Sequence, residues 1–274
     1  MTVQEMVPYG VDASRPSIAR VYDCFLGGTD NFAVDREVFA RALAIAPEAP
    51  RAALVNRSFL WRVVRYLAIE AGIRCFLDIG SGLPTRGNVH EAVRDAVESA
   101  RVVYVDNDPA VVAHSRALLA GDPAVTAIAG DIRQPEEILA SPPVRELTES
   151  GQPIALLLVA ILHHVNDEDG PADIAARLRC ALPPGSYLAI SHFCDPGSEH
   201  PELAVITAEG ERLLAETLGS GRWRSRQEIL GYFGDLELVE PGLVPLARWR
   251  PNRGAIRQPE EVNHSFLGGV ARKG

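Results

Sequence analysis

The sequence contains no long apolar run. Its longest uninterrupted apolar stretch covers residues 154–162, whereas a membrane-spanning helix needs about 20 predominantly apolar residues. The first ten residues contain neither a basic segment nor a long apolar segment, so they do not predict a secretory signal peptide. We therefore expect no membrane partner.

Positive charge is also in the minority. The chain carries 27 Lys and Arg against 36 Asp and Glu, a net charge of −9 with neutral histidines. Such a chain has no excess positive field to hold nucleic acid non-specifically. Arg222, Arg224 and Arg226 could attract an acidic substrate, but acidic residues accompany them, as is typical of a solvated face. We expect no nucleic-acid partner.

Cysteine is scarce, with four residues in a chain of 274. Cys24, Cys75, Cys180 and Cys194 stand far apart and form neither the C-x-x-C spacing of a metal site nor a small disulfide framework. Together with the missing signal peptide, this favours the reducing cytoplasm. Hydrophobic residues make up 47% and charged residues 23%, which is ordinary globular composition.

The apolar pattern divides the chain into three blocks, residues 1–72, 73–250 and 251–274. We predict a helical segment, an α/β domain and a polar tail with little periodicity, in that order. The tetrapeptide F-L-G-G occurs at 25–28 and again at 266–269, with unrelated flanks. Two copies do not make a repeat architecture, so we interpret them as chance.

The first block shows helical patterns only. Ser17 precedes apolar residues at helical spacing and Gly27-Gly28 stop the run, which predicts a capped amphipathic helix. Two further helical patterns cover 31–44 and 60–71. The polar, glycine-rich stretch 27–31 is either an ordinary connection between helices or part of a lid over the strand ends of the next block.

The second block alternates short apolar runs with helical patterns. Strands are predicted over residues 75–80, 102–106, 125–129, 154–160 and 187–191. Helices are predicted over residues 88–99, 111–119 and 173–182. This alternation indicates βαβ crossovers and a doubly wound, mainly parallel, Rossmann-like sheet.

The end of the second block has a different pattern. A helix is predicted over 202–218, and S-R-Q-E at 225–228 forms a capping box that opens another. Apolar runs over 236–240 and 243–249 are separated by Pro241-Gly242. Two strands joined by such a tight turn predict an antiparallel pair, so the sheet would finish with one antiparallel strand.

Polar residues follow three successive predicted strands. The first strand ends in Asp78-Ile79-Gly80-Ser81-Gly82, where glycines let the backbone approach a ligand closely. Asp106 ends the second strand and can accept hydrogen bonds from ribose hydroxyls. Asp131 follows the third, within reach of an adenine amino group. These acids either cap turns or together form a nucleoside-shaped site, and their shared position at strand ends favours the site.

The glycine turn discriminates between cofactors. The dinucleotide fingerprint G-x-G-x-x-G requires a third glycine, but Leu83, Pro84 and Thr85 follow Gly82. An acid at Asp78 is also unusual for a nicotinamide site. An NAD-dependent oxidoreductase is therefore the weaker hypothesis.

The motif D-x-G-x-G resembles motif I of class I S-adenosylmethionine-dependent methyltransferases, and the stretch A-I-L-H-H-V-N-D after the fourth strand resembles their L-H-H region. A closer resemblance, to the bacterial family of S-adenosyl methyltransferases long carried as a domain of unknown function, covers most of the chain. It is carried by residues 20–37, with G-G-T-D-N-F, 56–68, 76–90, with D-I-G-S-G-L-P-T, 104–112 and 236–251. Pro84 departs from the common D-x-G-x-G-x-G, but G-L-P-T is the family's own form.

The resemblance implies S-adenosylmethionine as the cofactor and assigns its binding residues. Asp78, Gly80 and Gly82 would serve the methionine end, Asp106 the ribose and Asp131 the adenine. The full set of predicted cofactor-binding residues is Tyr22, Asn31, Asp78, Gly80, Ser81, Gly82, Thr85, Asp106, Asn107, Asp131 and Ile132. The resemblance also favours the lid interpretation, with Tyr22 and Asn31 near cofactor or substrate. Arg57 could pair with a carboxylate there, although an exposed arginine is the more usual case.

Three histidines follow the fourth and fifth predicted strands. His163 and His164, the candidate catalytic residues, or His192 could act as a general base. They could also form a metal site with Asp167 or Asp195, or serve only in packing. We predict no metal, and no base is required, because the sulfonium methyl is already activated and alignment can supply much of the acceleration.

The sequence therefore predicts a cytoplasmic S-adenosylmethionine-dependent methyltransferase that acts on a small molecule by in-line methyl transfer. A binding protein without turnover, such as a sensor or a partner subunit, stays as an alternative because fold does not fix function.

Overall fold

The structure is a computed structural model that describes residues 11–84, 87–97, 99–251 and 260–274. Within these ranges the strands form one sheet in the order β3-β2-β1-β4-β5-β8-β6, with β7 also paired to β8. The strands are β1 (Cys75–Ile79), β2 (Arg101–Asp106), β3 (Val125–Ala129), β4 (Ile154–Val159), β5 (Tyr187–Phe193), β6 (Glu237–Leu238), β7 (Val244–Pro245) and β8 (Phe266–Arg272).

The first five strands pair in parallel, and β8 runs antiparallel to β5. The reversal of strand order between β1 and β4 makes the switch point of a doubly wound sheet, so the predicted fold class is confirmed. Strands β1 and β4 are buried along their whole length, as expected where helices cover both faces. Because the five strands are parallel, their carboxyl ends meet at one edge.

The helices follow the predicted alternation, with three additions. They are α1 (Ile18–Phe25), α2 (Ala33–Ile45), α3 (Ala49–Ile69), α4 (Val89–Arg94), α5 (Pro109–Leu119), α6 (Pro135–Ala140), α7 (Pro142–Thr148), α8 (Pro171–Cys180), α9 (Pro201–Leu218), α10 (Arg226–Gly231) and α11 (Glu260–Ser265). Helices α6, α7 and α11 were not predicted. Helices α6 and α7 are short and each begin at a proline, and the six-residue α11 lies in the stretch predicted as a polar tail. No helix in the described ranges combines the length and apolar character needed to cross a membrane.

Helix starts agree with the capping chemistry. Ser17 accepts a hydrogen bond from the backbone of α1, and Asp108 does the same for α5, whose first residue is Pro109. Ser225 and Glu228 form the predicted capping box of α10. Each cap satisfies backbone N–H groups that have no partner inside the helix, for about 1 kcal/mol apiece.

Helix α3 belongs to the folded domain. Its residues Phe59, Val63 and Leu67 are fully buried against one face of the sheet, and Trp249 closes this core edge-to-face on Phe59, at 5.7 Å between ring centroids. The opposite face is covered by a second core that includes side chains of α6, α7 and α8. Trp249 is therefore a core residue.

The carboxyl-terminal pairing differs from the prediction. The runs at 236–240 and 243–249 do not pair with each other. Their strands β6 and β7 each pair with β8, which lies in the stretch predicted as a polar tail. The second F-L-G-G copy therefore lies in a sheet strand. The two copies still do not form a repeat architecture.

Glycine explains why β8 escaped detection. A Cβ at Gly268 would lie 2.6 Å from the Leu246 side chain and 2.7 Å from Phe59. The strand therefore packs through its bare backbone and carries fewer of the branched side chains by which strands are recognised.

Candidate functional site

The turn after β1 requires glycine. Gly80 and Gly82 have φ values of +75° and +68°, a region that residues with a Cβ adopt only at a cost. A Cβ on Gly80 would also lie 2.5–2.8 Å from the side chain of Ile161, whereas one on Gly82 would meet nothing within 4 Å. The turn therefore brings bare backbone to the sheet edge, packed beneath by the segment that follows β4.

Asp106 lies beside this turn, as its position at the end of β2 predicts. One carboxylate oxygen accepts a hydrogen bond from the Gly82 N–H at 2.8 Å, and the other accepts from the Asp108 N–H at 2.9 Å. Burial raises the pKa of Asp106 to about 6. The side chain is thus held in one orientation at the switch point of the sheet.

Asp78 is a buried carboxyl, 5% exposed. Burial raises its pKa to about 7, while the positive charge of Arg57 acts in the opposite direction. No hydrogen bond to its side chain comes from any residue that the structure describes. A buried carboxyl without a donor is costly. A cationic group of a ligand would offset this cost by pairing with it.

Ser81 and Arg57 each have a buried polar atom that lacks a hydrogen-bond partner in the described part of the chain. The Ser81 hydroxyl and the Arg57 Nε are both buried without a hydrogen-bond partner among the described residues. Buried polar atoms are normally paired. These two buried atoms, near the buried carboxyl of Asp78, fit a polar ligand that carries its own donors and acceptors.

Asp131 and Asn107 lie on the β2–β3 side of the edge. The Asn107 amide nitrogen is 3.5 Å from the Asp131 carboxylate, and Arg133 pairs with the same carboxylate. The hydrogen bonds from Arg133 hold the pKa of Asp131 below its usual range. The next residue, Ile132, is buried. The three predicted acids therefore gather at one edge, and the adenine role of Asp131 stays a prediction.

Helix α1 is attached to the same edge. The Ser17 hydroxyl donates to the Asp108 carboxylate, and an Arg20 guanidinium nitrogen lies 3.8 Å from that carboxylate. Arg20 is itself fixed by Asp35 of α2 at 2.8 Å. The start of α1 is therefore bonded to Asp108, which is two residues along the chain from Asp106. A lid over the strand ends would begin at such a position.

Asn31 organises the connection between α1 and α2. Its amide nitrogen donates to the Asp23 carboxylate at 2.9 Å and to the Gly28 carbonyl at 3.1 Å. A Cβ on Gly28 would collide with the Asp23 carboxylate. The polar G-G-T-D-N stretch is therefore a built loop around Asp23, and a contact of Asn31 with cofactor or substrate stays a prediction.

Tyr22 is the first member of a buried polar network. Its hydroxyl donates to the Ala53 carbonyl at 3.2 Å and accepts from the Asn56 amide at 3.0 Å. The Asn56 carbonyl oxygen accepts from the Ser191 hydroxyl at 2.7 Å, which in turn accepts from the Ala160 N–H at 3.0 Å. The network joins α1, α3 and the ends of β4 and β5. Burial raises the pKa of Tyr22, so the phenol keeps its proton.

Ala160 occupies a backbone conformation that favours glycine, with φ +58°. Its N–H is shared between the Ser191 carbonyl and hydroxyl oxygens, and the next residue, Ile161, presses on Gly80. Strain of this kind costs about 1–3 kcal/mol and persists where the surroundings enforce it, often at functional sites. Asn56 and Ser191 were not predicted as site residues. Ser191 ends a predicted strand, the same kind of position that pointed to Asp106.

The three histidines pack together behind this edge, with His163 and His192 buried and His164 half-buried. His163 stacks on Phe193 at 3.7 Å between centroids, and its pKa is held far below the ordinary value by burial. His164 lies 3.2 Å from the Ser220 hydroxyl, and burial lowers its pKa to about 4. Burial thus favours the neutral form of both side chains, and a base role for His163 or His164 stays a prediction.

His192 and Arg224 complete this group. The His192 Nδ1–H donates to the Phe193 carbonyl at 2.6 Å, so its Nε2 accepts from Arg224 at 3.2 Å. Arg224 is only 4% exposed and pairs with Asp167 at 2.7 Å. The expectation of a solvated face is thus wrong for Arg224, which binds the turn after β4. Among the described residues no group of three or more His, Cys, Asp or Glu is arranged for a metal ion.

Thr85, the remaining predicted cofactor-binding residue, lies outside the described residues.

Comparisons with known proteins agree with this geometry. The model of the family described as S-adenosyl methyltransferase matches residues 4–274. A search of the curated proteins found no match. The crystal structure of a proposed methyltransferase from Thermobifida fusca YX is similar at 42% identity, covers 97% of this chain and 98% of that chain, and superposes with a TM-score of 0.90.

Two further solved structures extend the comparison. A DUF574 family protein from Streptomyces avermitilis MA-4680 shares 37% identity over 96% of this chain and 99% of that chain, with a TM-score of 0.88. An O-methyltransferase family 2 protein from Planctomyces limnophilus DSM 3776, in complex with apigenin, shares 19% identity over 93% of this chain and 65% of that chain, with a TM-score of 0.51, and so supports the fold alone. The chain therefore belongs to the S-adenosyl methyltransferase family and is an S-adenosylmethionine-dependent methyltransferase.

Proposed function

We propose that this methyltransferase acts on a small-molecule acceptor that binds between the cofactor edge and the N-terminal helices. The attachment of α1 to Asp108 carries the proposal, because it brings the N-terminal helices to the edge at which the cofactor would bind. Helix α2 continues the cover towards α9, where Arg41 and Glu216 lie 3.3 Å apart. A covered site on a chain of net charge −9 favours a small acceptor over nucleic acid.

Each part of the cofactor has candidate partners at the edge. Asp106 would accept hydrogen bonds from the ribose hydroxyls, and Asp131, Asn107 and Ile132 would contact the adenine. The methionine end would lie along the glycine turn, against the buried carboxyl of Asp78 and the partnerless hydroxyl of Ser81. S-adenosylmethionine supplies a methyl group already activated on a sulfonium.

The residues of this chain would then align the acceptor atom with the methyl group. The strained turn at Ala160 and the side chain of Ile161 would form one wall of the site, here called the floor, between the glycine turn and the acceptor. The network from Tyr22 through Asn56 to Ser191 fixes that floor relative to α1. Holding the acceptor atom in line with the methyl carbon supplies several kcal/mol by entropy alone, and the product is S-adenosylhomocysteine.

A general base is not required by this geometry. A base works best when its pKa lies near the working pH, whereas burial lowers the pKa of His164 to about 4 and that of His163 far below its ordinary value. We propose that the histidines hold the floor of the site through packing. A reducing cytoplasm remains the proposed compartment, since all four cysteines are unpaired and three are buried.

The experiment is a methyl-transfer screen. The purified protein is incubated with S-adenosylmethionine labelled in the methyl group and with pools of small phenols, amines, thiols and acids, and labelled product and S-adenosylhomocysteine are quantified. We expect product with at least one acceptor class and none with Asp106→Asn. Turnover restricted to nucleic acid or protein would refute the small-molecule assignment.

A further inference from the structure

A cavity of about 580 Å³ lies at the amino-terminal edge of the sheet. Its walls include Cys75, Arg101 and Val125, which are the first residues of β1, β2 and β3, together with residues of α4. Because these strands are parallel, their starts and their ends lie at opposite edges of the sheet. The cavity is therefore separate from the glycine turn, and its volume falls within the range of about 300–1,000 Å³ that is typical of small-molecule sites.

Positive charge is concentrated at this cavity. The described residues that line it include three arginines, Arg74, Arg94 and Arg101, but a single acid, Asp122. Arg94 pairs with Asp122. Arg74 and Arg101 have no carboxylate partner in the part of the chain that the structure describes. The cavity thus carries a local excess of positive charge in a chain whose net charge is −9.

The two arginines that lack a carboxylate are neighbours. The Arg101 N–H donates to the Arg74 carbonyl at 2.7 Å, where β1 and β2 begin. One terminal nitrogen of Arg74 donates to the Ala68 and Ile73 carbonyls at 2.9 Å and 3.0 Å, and one of Arg101 donates to the Glu146 carbonyl at 3.2 Å. A guanidinium presents five N–H donors, so both side chains keep donors for a further acceptor. Like charges on adjacent strands destabilise each other, and an anion bound to both would offset that repulsion.

The wall of the cavity combines this charge with apolar surface. Burial raises the pKa of the Cys75 thiol, and the positive charge of Arg101 acts in the opposite direction. Arg101 therefore lies close to a buried side chain of the wall. Much of the remaining wall is apolar and consists of Val93, Val97, Ala100, Val102, Ala124 and Val125.

We propose that this cavity is a second binding site of the protein and takes a small organic anion, with a carboxylate or phosphate head and an apolar body. Arg74 and Arg101 would bind the head, because the guanidinium fork matches the oxygen geometry of carboxylates and phosphates. The valine and alanine side chains would contact the body, whose burial is favourable. The site does not depend on the cofactor placement at the opposite edge.

Calorimetric titration with phenyl phosphate, benzoate and inorganic phosphate tests the site. The first two ligands share an apolar ring and differ in the anionic head, whereas the third is a head alone. We expect saturable binding of phenyl phosphate or benzoate, with the tighter of the two identifying the preferred head, and weaker binding of inorganic phosphate. Saturating S-adenosylhomocysteine should leave this binding unchanged, because the cofactor edge is the other edge of the sheet.

Two variants and a matched control locate the bound anion. Arg101→Gln removes one guanidinium and should weaken the organic anion at least about tenfold, which corresponds to the loss of one hydrogen bond to a charged group. Ala100→Trp fills the cavity with an indole ring and should abolish binding. The control is Arg177→Gln, which removes a guanidinium of α8 that is 58% exposed and pairs with Glu136, and it should bind as wild type. Thermal unfolding confirms that each variant is folded.

The contrary results are distinct. Absence of saturable binding by both organic anions at millimolar concentration overturns the inference. Equal affinity in wild type and Arg101→Gln overturns it too, and so does wild-type binding by Ala100→Trp, since the anion then binds elsewhere. Competition with S-adenosylhomocysteine would place the anion at the cofactor edge, and inorganic phosphate that binds as tightly as the organic anions would rule out the apolar subsite. If Ala100→Trp fails to fold, or the protein does not bind S-adenosylhomocysteine, Arg101→Gln still decides.

Discussion

Replacing Gly80 with alanine tests the contact between the cofactor loop and the segment after β4. The new methyl group meets two separate obstacles. Its backbone must hold φ +75°, and its Cβ would lie 2.5 Å from Cγ1 of Ile161. Gly82, two residues on, has nearly the same φ of +68° but open space at the Cβ position. Gly82→Ala is therefore a matched control that carries the backbone cost alone.

The two costs differ enough to be resolved. A left-handed conformation costs a residue with a Cβ about 1–2 kcal/mol. Forcing extra atoms into a packed contact adds about 1–3 kcal/mol. We expect Gly82→Ala to lower the free energy of unfolding by about 1–2 kcal/mol and Gly80→Ala by about 2–5 kcal/mol. In a chain of this size each kcal/mol corresponds to about 2–4 °C in the melting temperature.

Urea denaturation without cofactor measures both values, and an unchanged m-value shows that the comparison is valid. Adding Ile161→Ala should recover part of the loss in Gly80→Ala while destabilising the wild-type chain, a coupling of about 0.5–3 kcal/mol that a double-mutant cycle extracts. Equal destabilisation by Gly80→Ala and Gly82→Ala, or no coupling with Ile161, would refute the contact.

Three further predictions concern titration and the buried network. Because burial raises the pKa of Asp78 to about 7, its carboxyl must lose a proton to face a ligand ammonium; affinity for S-adenosylhomocysteine should rise from pH 6 to 8 by calorimetry, and less so in Asp78→Asn. Burial lowers the pKa of His164 to about 4, so its contribution to stability is present above pH 6.5 and lost as pH falls towards 4; the free energy of unfolding of His164→Gln should fall less steeply on acidification, by up to about 1.4 kcal/mol per pH unit. Ser191→Ala removes the hydroxyl between Asn56 and Ala160 and should cost about 1–3 kcal/mol in urea denaturation.

Each of these has a clear contrary result. An Asp78→Asn variant with the same pH profile as wild type would remove the carboxyl from the ligand. If the free energy of unfolding fell equally steeply on acidification in His164→Gln and wild type, the pKa of His164 would not be lowered in the folded protein. A Ser191→Ala variant as stable as wild type would mean that the network is not required to hold Ala160.

The positions of the three acids could be predicted from the sequence, because a residue at the end of a parallel strand has a known place in the sheet. Asp78, Asp106 and Asp131 each end or follow a predicted parallel strand, and parallel strands must meet at one edge. Asn56 escaped because it lies in mid-helix, where polar residues usually face solvent. Its burial depends on Tyr22 and Ser191, which are 34 and 135 residues away along the chain, and no local pattern reports such a distance.

The carboxyl-terminal strand shows the opposite case. Residues 266–272 combine two glycines with few branched side chains, so local propensity argues against a strand. Tertiary packing decides the matter, since Phe59 and Leu246 occupy the space that a side chain at position 268 would need. The sequence therefore predicted the parallel half of the sheet, whereas the antiparallel half depended on contacts between distant residues.

The central claim is that S-adenosylmethionine binds at the carboxyl edge beside Asp106. The most direct measurement is calorimetric titration of the wild-type protein and Asp106→Asn with S-adenosylmethionine, S-adenosylhomocysteine and NAD. The control is Asp235→Asn, which removes a carboxylate that is 95% exposed, and thermal unfolding confirms that each variant is folded. We predict that the wild type and control bind both sulfur nucleosides but not NAD, and that Asp106→Asn weakens binding at least about tenfold, the loss of one charged hydrogen bond. Absent binding in the wild type, or equal affinity in a folded Asp106→Asn variant, would contradict the account.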